Sequence, residues 1–250
     1  MQFYEELAAE YDAMTQFEAR FEKERGFFEG LKQEYGLRKV LDAGCGTGFH
    51  SVLLAKLGLE VTGIDSSTDM LKKAGEHIRA HNVDVRFQRA TFQDMGLRRD
   101  EKFDAVVCMG NSLPHLHTER EIVLSLKNFY NVLNDKGIVV IQNLNYDRIM
   151  RTRERIVSVK KSDGTLFVRF YDFGETNIVF HILVLKEQAK EFTHKLLSTV
   201  LRPIYQDELL AWFGQAGFQN LKSLGNMAGE KFSKETSRDL IVVGAKAATT

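Results

Sequence analysis

Asp42, Gly44, Gly46 and Gly48 fall in one short run, Val-Leu-Asp-Ala-Gly-Cys-Gly-Thr-Gly-Phe-His over 40–50, and Asp65 closes the next apolar stretch. Glycines at alternate positions let a backbone turn sharply and approach a ligand closely, because no Cβ intervenes. Asp65 stands where a carboxylate would meet the hydroxyls of a ribose in a nucleotide-binding βαβ unit. Together they read as a nucleoside site. A dinucleotide fingerprint spaces its glycines Gly-x-Gly-x-x-Gly and sets a helix N-terminus under a pyrophosphate, whereas this run is Asp-x-Gly-x-Gly-x-Gly. A tight turn without a ligand would account for the glycines but leaves Asp42 and Asp65 without a role.

A second cluster is Cys108-Met109-Gly110-Asn111-Ser112-Leu113-Pro114-His115-Leu116. The Asn111 amide both donates and accepts, which suits it to position a polar substrate. His115 and His117 either act as general base or cap and pack the loop after the strand. Near the N-terminus, Tyr4, Tyr11 and Arg20 carry polar tips on apolar stems. They reach a ligand from a covering helix, or they are core staples and a solvated cation. Tyr146 and Arg202 are further pocket candidates, with Arg202 a possible anion binder.

The run from Asp42 to Gly48, with Asp65, resembles motif I of the class I S-adenosylmethionine (SAM) methyltransferases. Gly110-Asn111-Ser112 with His115-Leu116, Leu126-Lys127-Asn128 and Asn145-Tyr146-Asp147-Arg148-Ile149 are similar to stretches that occur in the same order in the glycine N-methyltransferase branch. The resemblance runs from about Val40 to Ile149 and weakens beyond. It implies SAM as cofactor, S-adenosylhomocysteine as product and a small-molecule methyl acceptor, an amine nitrogen of the glycine or sarcosine kind or another small metabolite. Gly44 and Asp65 then hold the methionine part and the ribose, Thr91 and Phe92 flank the adenine, Arg20 binds the cofactor carboxylate and Tyr11 lies nearby. The expected cofactor contacts are Tyr11, Arg20, Gly44, Cys45, Gly46, Asp65, Ser66, Met70, Thr91, Phe92, Met109 and Asn111. Asn111 and His115 are the catalytic candidates, and Tyr4, Asn111, Tyr146 and Arg202 the substrate candidates. The branch places an arginine just before Asn-Tyr-Asp for the acceptor carboxylate; this chain has Leu144 there. Methyl transfer from a sulfonium is an in-line displacement that needs positioning rather than a triad or a metal. RNA or protein methylation, and SAM binding without turnover, are the alternatives.

Apolar residues of 3–31 recur at helical spacing and predict amphipathic helices packing over the cofactor mouth. From 39 to 145, strand candidates 39–43, 60–64, 84–88, 103–109 and 137–143 alternate with helical segments 51–57, 69–81 and 119–133. This predicts a Rossmann-like α/β fold, doubly wound, with ligands at the carboxyl ends of a mostly parallel sheet of seven strands. After Tyr146 the period becomes two, and stretches 155–160, 165–172, 177–186 and 192–200 predict an antiparallel β insert. A helix over 206–215 and strands over 218–224 and 240–245 would complete the sheet with an antiparallel edge; 225–237 reads as a mobile loop. The resulting division is an N-terminal helical cap (1–36), a SAM-binding core (37–148), an insert forming the substrate-side wall (149–202) and a C-terminal completion of the sheet (203–250).

Hydrophobic residues make up 44% of the chain, enough for a sizeable core, and Lys plus Arg equal Asp plus Glu at 34 each. No global charge steers the protein to nucleic acid or an acidic membrane. The basic run Arg148, Arg151, Arg153, Arg155, Lys160 and Lys161 meets phosphates or forms a solvated face. Two cysteines, Cys45 and Cys108, are too few for a disulfide framework and lack metal-ligand spacing. With no signal peptide or membrane-length apolar run evident, a cytoplasmic location is expected, without a metal; an oligomer is possible.

Overall fold

The computed structural model describes residues 2–162, 164–188 and 191–248. Strand β1 (Lys39–Ala43) runs at the centre of a seven-stranded sheet, with β2 (Glu60–Asp65) and β3 (Arg86–Arg89) added parallel on one side. β4 (Phe103–Cys108) and β5 (Leu133–Leu144) are added parallel on the other. The order of strands therefore reverses between β1 and β4, and loops leaving their carboxyl ends diverge and open a crevice there. Two C-terminal strands, β10 (Gln219–Leu224) and β11 (Asp239–Ala245), extend the sheet antiparallel beyond β5. This is the α/β architecture and the edge that strand periodicity predicts.

Helices cover both faces, because the central strands are apolar on both. α2 (Phe21–Tyr35) and α3 (Phe49–Lys56) pack Phe28, Leu31, Val52 and Leu53 against Val40, Val107 and Val140. α5 (Glu119–Val132) and α7 (Gln206–Gln215) pack Leu126, Phe129, Leu209 and Trp212 against Val106, Val139 and Val242. The helix starts are chemically marked: Ser67 caps α4 (Thr68–His81), and Thr118 with Glu121 forms a reciprocal capping box on α5.

A separate four-stranded antiparallel sheet follows, in the order β6 (Ile156–Ser162), β7 (Thr165–Phe173), β8 (Ile178–Gln188), β9 (Glu191–Leu201). Its inner face supplies Phe167, Ile182, Val184 and Leu197, which bury Leu7 and Met14 of the N-terminal helix α1 (Gln2–Thr15). Lys186 reaches Glu10 at 2.7 Å and Lys195 donates to the Glu6 carbonyl at 2.7 Å, so α1 is held to the insert by its polar edge as well. Asp163, Ala189 and Lys190, expected in the hairpin connections, lie outside the described residues.

The structure departs from the sequence reading in three places. A short helix α6 (Tyr146–Thr152) follows β5 directly where a change to strand period is expected; Asn145 starts it by accepting from Arg148 N–H at 3.1 Å. β5 begins earlier than expected, with Lys136 at φ 64° inside it. The 225–237 loop is not loose: the Asn145 amide donates to the carbonyls of Ser233, Lys234 and Ser237, and Leu224 bridges to Lys231. No helix among the described residues is long and apolar enough to cross a membrane.

Candidate functional site

The glycine loop leaves β1 with Gly44, Gly46 and Gly48 all in the left-handed region, at φ 75°, 55° and 83°. Gly44 and Cys45 both donate their backbone N–H to the Ile64 carbonyl, at 2.8 and 3.0 Å, which pins the loop to the end of β2. Gly44 is required twice over. Its conformation penalises a side chain, and a Cβ there would lie 3.0 Å from Ser112 Oγ and 3.1 Å from the Phe92 ring.

Asp65 ends β2 beside this loop. Its Oδ2 accepts from Gly46 N–H and its Oδ1 from Ser67 N–H, both at 2.9 Å, so loop and carboxylate form one rigid unit. Burial raises its pKa, and these backbone donors oppose the rise. Asp42 is fully buried beneath, accepts from Ser51 Oγ at 2.6 Å and supports the turn from inside, with its pKa also raised by burial.

Around this unit lies a cavity of about 310 Å³. Tyr4, Tyr11, Arg20, Gly44, Cys45, Gly46, Asp65, Ser66, Met70, Thr91, Phe92, Met109 and His115 all line it. After β3, Asn128 of α5 donates to the carbonyls of Phe92 and Gln93, both at 3.0 Å, and the Phe92 ring meets Phe129 edge-on, which fixes an aromatic face toward the cavity. The roof is α1: Glu5 accepts from the N–H groups of Thr68 and Asp69 at the start of α4, and Asp12 meets His77 at 2.7 Å. At the far end Arg20 sits 3.9 Å from the Phe49 ring centre and gives Nε to Glu24 at 2.7 Å, while His50 lies within reach of both. Burial disfavours the Glu24 carboxylate, but the hydrogen bond and charge of His50, with Arg20, outweigh it and hold its pKa at about 2.

Tyr4 and His115 meet over the cavity, hydroxyl to Nε2 at 2.7 Å. Burial, with a smaller contribution from His117, lowers the His115 pKa to about 4, so the ring is neutral at ordinary pH. Burial likewise raises the Tyr4 pKa and keeps its phenol protonated.

Three candidates stand elsewhere. Asn111, at φ 63°, donates Nδ2 to the Tyr146 hydroxyl at 2.9 Å and accepts at Oδ1 from Leu144 N–H at 3.0 Å, so its amide braces the junction of β5 and α6. Tyr146 is fully buried against Tyr171 and Ile178. Arg202 lines a second concavity with His117, Tyr205 and Glu208; it is 3.5 Å from Glu208 and stacks over Trp212. Thr47, Ala90, Gln93, Gly110, Ser112 and Leu116, which belong to the loops expected after the strands, also line the main cavity, as do Phe3, Phe49, His50 and Thr199, which the sequence does not single out. Phe49 and His50 directly follow the glycine loop and could be found by extending it. Thr199, from β9, could not, since only the folded insert brings it there.

The cavity suits SAM by its chemistry. Asp65 presents an acceptor for a diol, Phe92 a flat face, Met70 and Met109 apolar walls, and Arg20 a cation for a carboxylate. Among the described residues no group of three or more His, Cys, Asp or Glu could hold a metal ion.

Residues 40–137 match the family described as "Methyltransferase domain". The chain is 36% identical over 149 residues to a glycine/sarcosine N-methyltransferase of Aphanothece halophytica, covering 60% of this chain and 56% of that one. It is 35% identical over 134 residues to the glycine N-methyltransferase of Rattus norvegicus, covering 49% and 46%. The resemblance carried by the motifs between Val40 and Ile149 is thus borne out, and the chain spans about half the length of the curated relatives it matches. Among solved structures, a SAM-dependent methyltransferase from Clostridium acetobutylicum superposes with a TM-score of 0.83 over 98% of this chain and 99% of that one, at 16% identity. The CcbJ methyltransferase of Streptomyces caelestis superposes at 0.77 over 92% and 90%, at 23% identity. At these identities the likeness is one of fold.

Proposed function

We propose that this chain is a SAM-dependent methyltransferase that moves a methyl group to the nitrogen of a small-molecule amine. The observation that carries this reading is the rigid pairing of Asp65 with the Gly44–Gly46 loop at the crevice between β1 and β4, roofed by Tyr4, Tyr11 and Arg20. The glycine loop and Arg20 would hold the aminoacyl end of the cofactor, Asp65 the ribose, and Phe92 with Thr91 the adenine. When bound, SAM supplies the electrophilic methyl group. The protein's share is orientation and proton handling. His115, neutral above about pH 4 and paired with Tyr4, is the base available for the proton of an ammonium acceptor. Asn111 acts on the site through Tyr146 and Leu144, as a positioning residue.

An amine acceptor is supported by the relatives named as glycine and sarcosine N-methyltransferases, and by the fold neighbour from Streptoalloteichus described as a sugar N-methyltransferase. A small molecule is favoured over RNA because two members of the basic run are tied up locally. Arg155 pairs with Asp172 at 2.6 Å, and Arg151 donates to the Glu235 carbonyl at 2.9 Å. Two buried free thiols, Cys45 and Cys108, fit the reducing cytoplasm, which is part of this reading.

The test is S-adenosylhomocysteine formation from SAM with glycine, sarcosine and a panel of primary and secondary amines, beside calorimetric titration with SAM. Amine-dependent product supports the proposal. SAM binding with no product from any amine or from a metabolite extract would make the chain a binding module instead. Absence of SAM binding by folded protein, with tight binding of an adenine dinucleotide, would sink both.

A further inference from the structure

Arg169 occupies an unusual position on β7. Side chains alternate along a strand, so Phe167, Arg169 and Tyr171 share one face. Phe167 packs with Leu7 and Met14 of α1, and Tyr171 packs with Tyr146 of α6. Arg169 lies between these two contacts, on the inner face of the insert, close enough to Tyr11 and Tyr171 for its charge to act on both. Tyr11 lines the cofactor cavity.

The guanidinium is half-buried yet has no carboxylate partner among the described residues. Among the described residues its one hydrogen bond runs from Nε to Ser158 Oγ at 2.7 Å, a neutral acceptor that orients the plane and leaves both Nη groups uncommitted there. Its charged neighbours are cations. Lys160 of β6 and Arg238, just before β11, both repel it; among the described residues neither forms an ion pair, although the charge of Arg238 also acts on Asp239. The acids of this region are engaged: Glu24 by Arg20 and His50, and Asp239 by Gln142. A partly buried, uncompensated cation costs stability, and an incoming anion would relieve that cost. Meanwhile Leu144, where the motif resemblance calls for an arginine, packs in the same cluster as Tyr171, two residues along the strand from Arg169.

We propose that Arg169, oriented by Ser158 and flanked by Lys160 and Arg238, binds an anionic group on the methyl acceptor, and so selects amines that carry a carboxylate or phosphate. On this proposal the acceptor's anion is held from the insert instead of from the end of β5. Its planar fork suits either anion bidentately, where a lysine would offer a point charge. The proposal rests on the methyltransferase reading.

The experiment is calorimetric titration of protein saturated with S-adenosylhomocysteine. Glycine, sarcosine, β-alanine and phosphoethanolamine serve as anionic probes, with glycinamide and ethanolamine as neutral counterparts. The expected result is that at least one anionic amine binds tenfold or more tighter than its neutral counterpart, a preference lost in Arg169→Met and reduced in Arg169→Lys and Ser158→Ala, while S-adenosylhomocysteine affinity changes less than twofold. The carboxylate and phosphate arms show which anion is taken. No anionic preference in the wild type, including no binding by any anionic probe, would overturn the proposal, as would full preference in Arg169→Met. If Arg169→Met does not fold, the Lys and Ala variants and the wild-type comparison decide. Loss of S-adenosylhomocysteine binding by the wild type would instead strike the methyltransferase reading.

Discussion

His115 links the roof of the cavity to the loop after β4, and its neutrality makes that link sensitive to acid. Its pKa is about 4 in the folded chain against 6.5 for a solvated imidazole, because burial disfavours the charged ring and His117 adds repulsion. Between those values the unfolded chain binds a proton that the folded one refuses. Stability from this group is therefore complete above pH 6.5 and declines as pH falls toward 4. The gap between 6.5 and about 4, at about 1.4 kcal/mol per pH unit, is about 3 kcal/mol, most of which is lost by pH 4.5. The assay is urea denaturation of wild type and His115→Gln at pH 7.5 and 4.5. Glutamine does not titrate, and carboxylates such as Glu24 contribute alike to both proteins and cancel in the comparison. The wild type is expected to lose about 2.5 kcal/mol more than the variant between the two pH values. Equal losses would refute the reasoning, since they would mean that the ring protonates as readily in the folded chain as in water. Because the ring is already neutral near pH 6.5, a rate inflection there would belong to another group.

Asp65→Asn should weaken SAM binding roughly 10- to 100-fold, because the amide cannot accept from both Gly46 and Ser67 and presents a donor where a diol needs an acceptor; calorimetry giving an affinity within twofold of wild type would contradict this. Gly44→Ala should cost the cofactor-free protein more stability than Gly46→Ala. Both incur about 1–2 kcal/mol for a left-handed conformation, but only Gly44 is crowded, by Ser112 and Phe92. Equal urea midpoints would show that the loop relaxes. Asn145→Ala removes the cap of α6 and three hydrogen bonds to the 225–237 loop from a side chain only 1% exposed. A loss of about 2–4 kcal/mol with faster proteolysis in that loop is expected, and unchanged cleavage would show that other contacts hold it.

The alternation of strand and helix from Lys39 to Asn145, the antiparallel insert and the final edge were legible in the sequence, because hydrophobic period is set by near neighbours and repeats within each element. So was the placement of the loops that line the cavity, since parallel strands with intervening helices put their carboxyl ends on one edge. The α6 helix was not legible, as its seven residues are too few to establish a period and its start depends on the Asn145 side chain. Nor could the sequence decide that the Asn111 amide turns to Tyr146 and Leu144, that the loop after β10 is fastened by Asn145, or that Arg169 comes close enough to Tyr11 for its charge to act there. Those outcomes join residues distant along the chain, so they depend on which elements pack together and on the polar partners that packing leaves for each buried group. Local pattern fixes what an element is; only the assembled layers fix what its side chains meet.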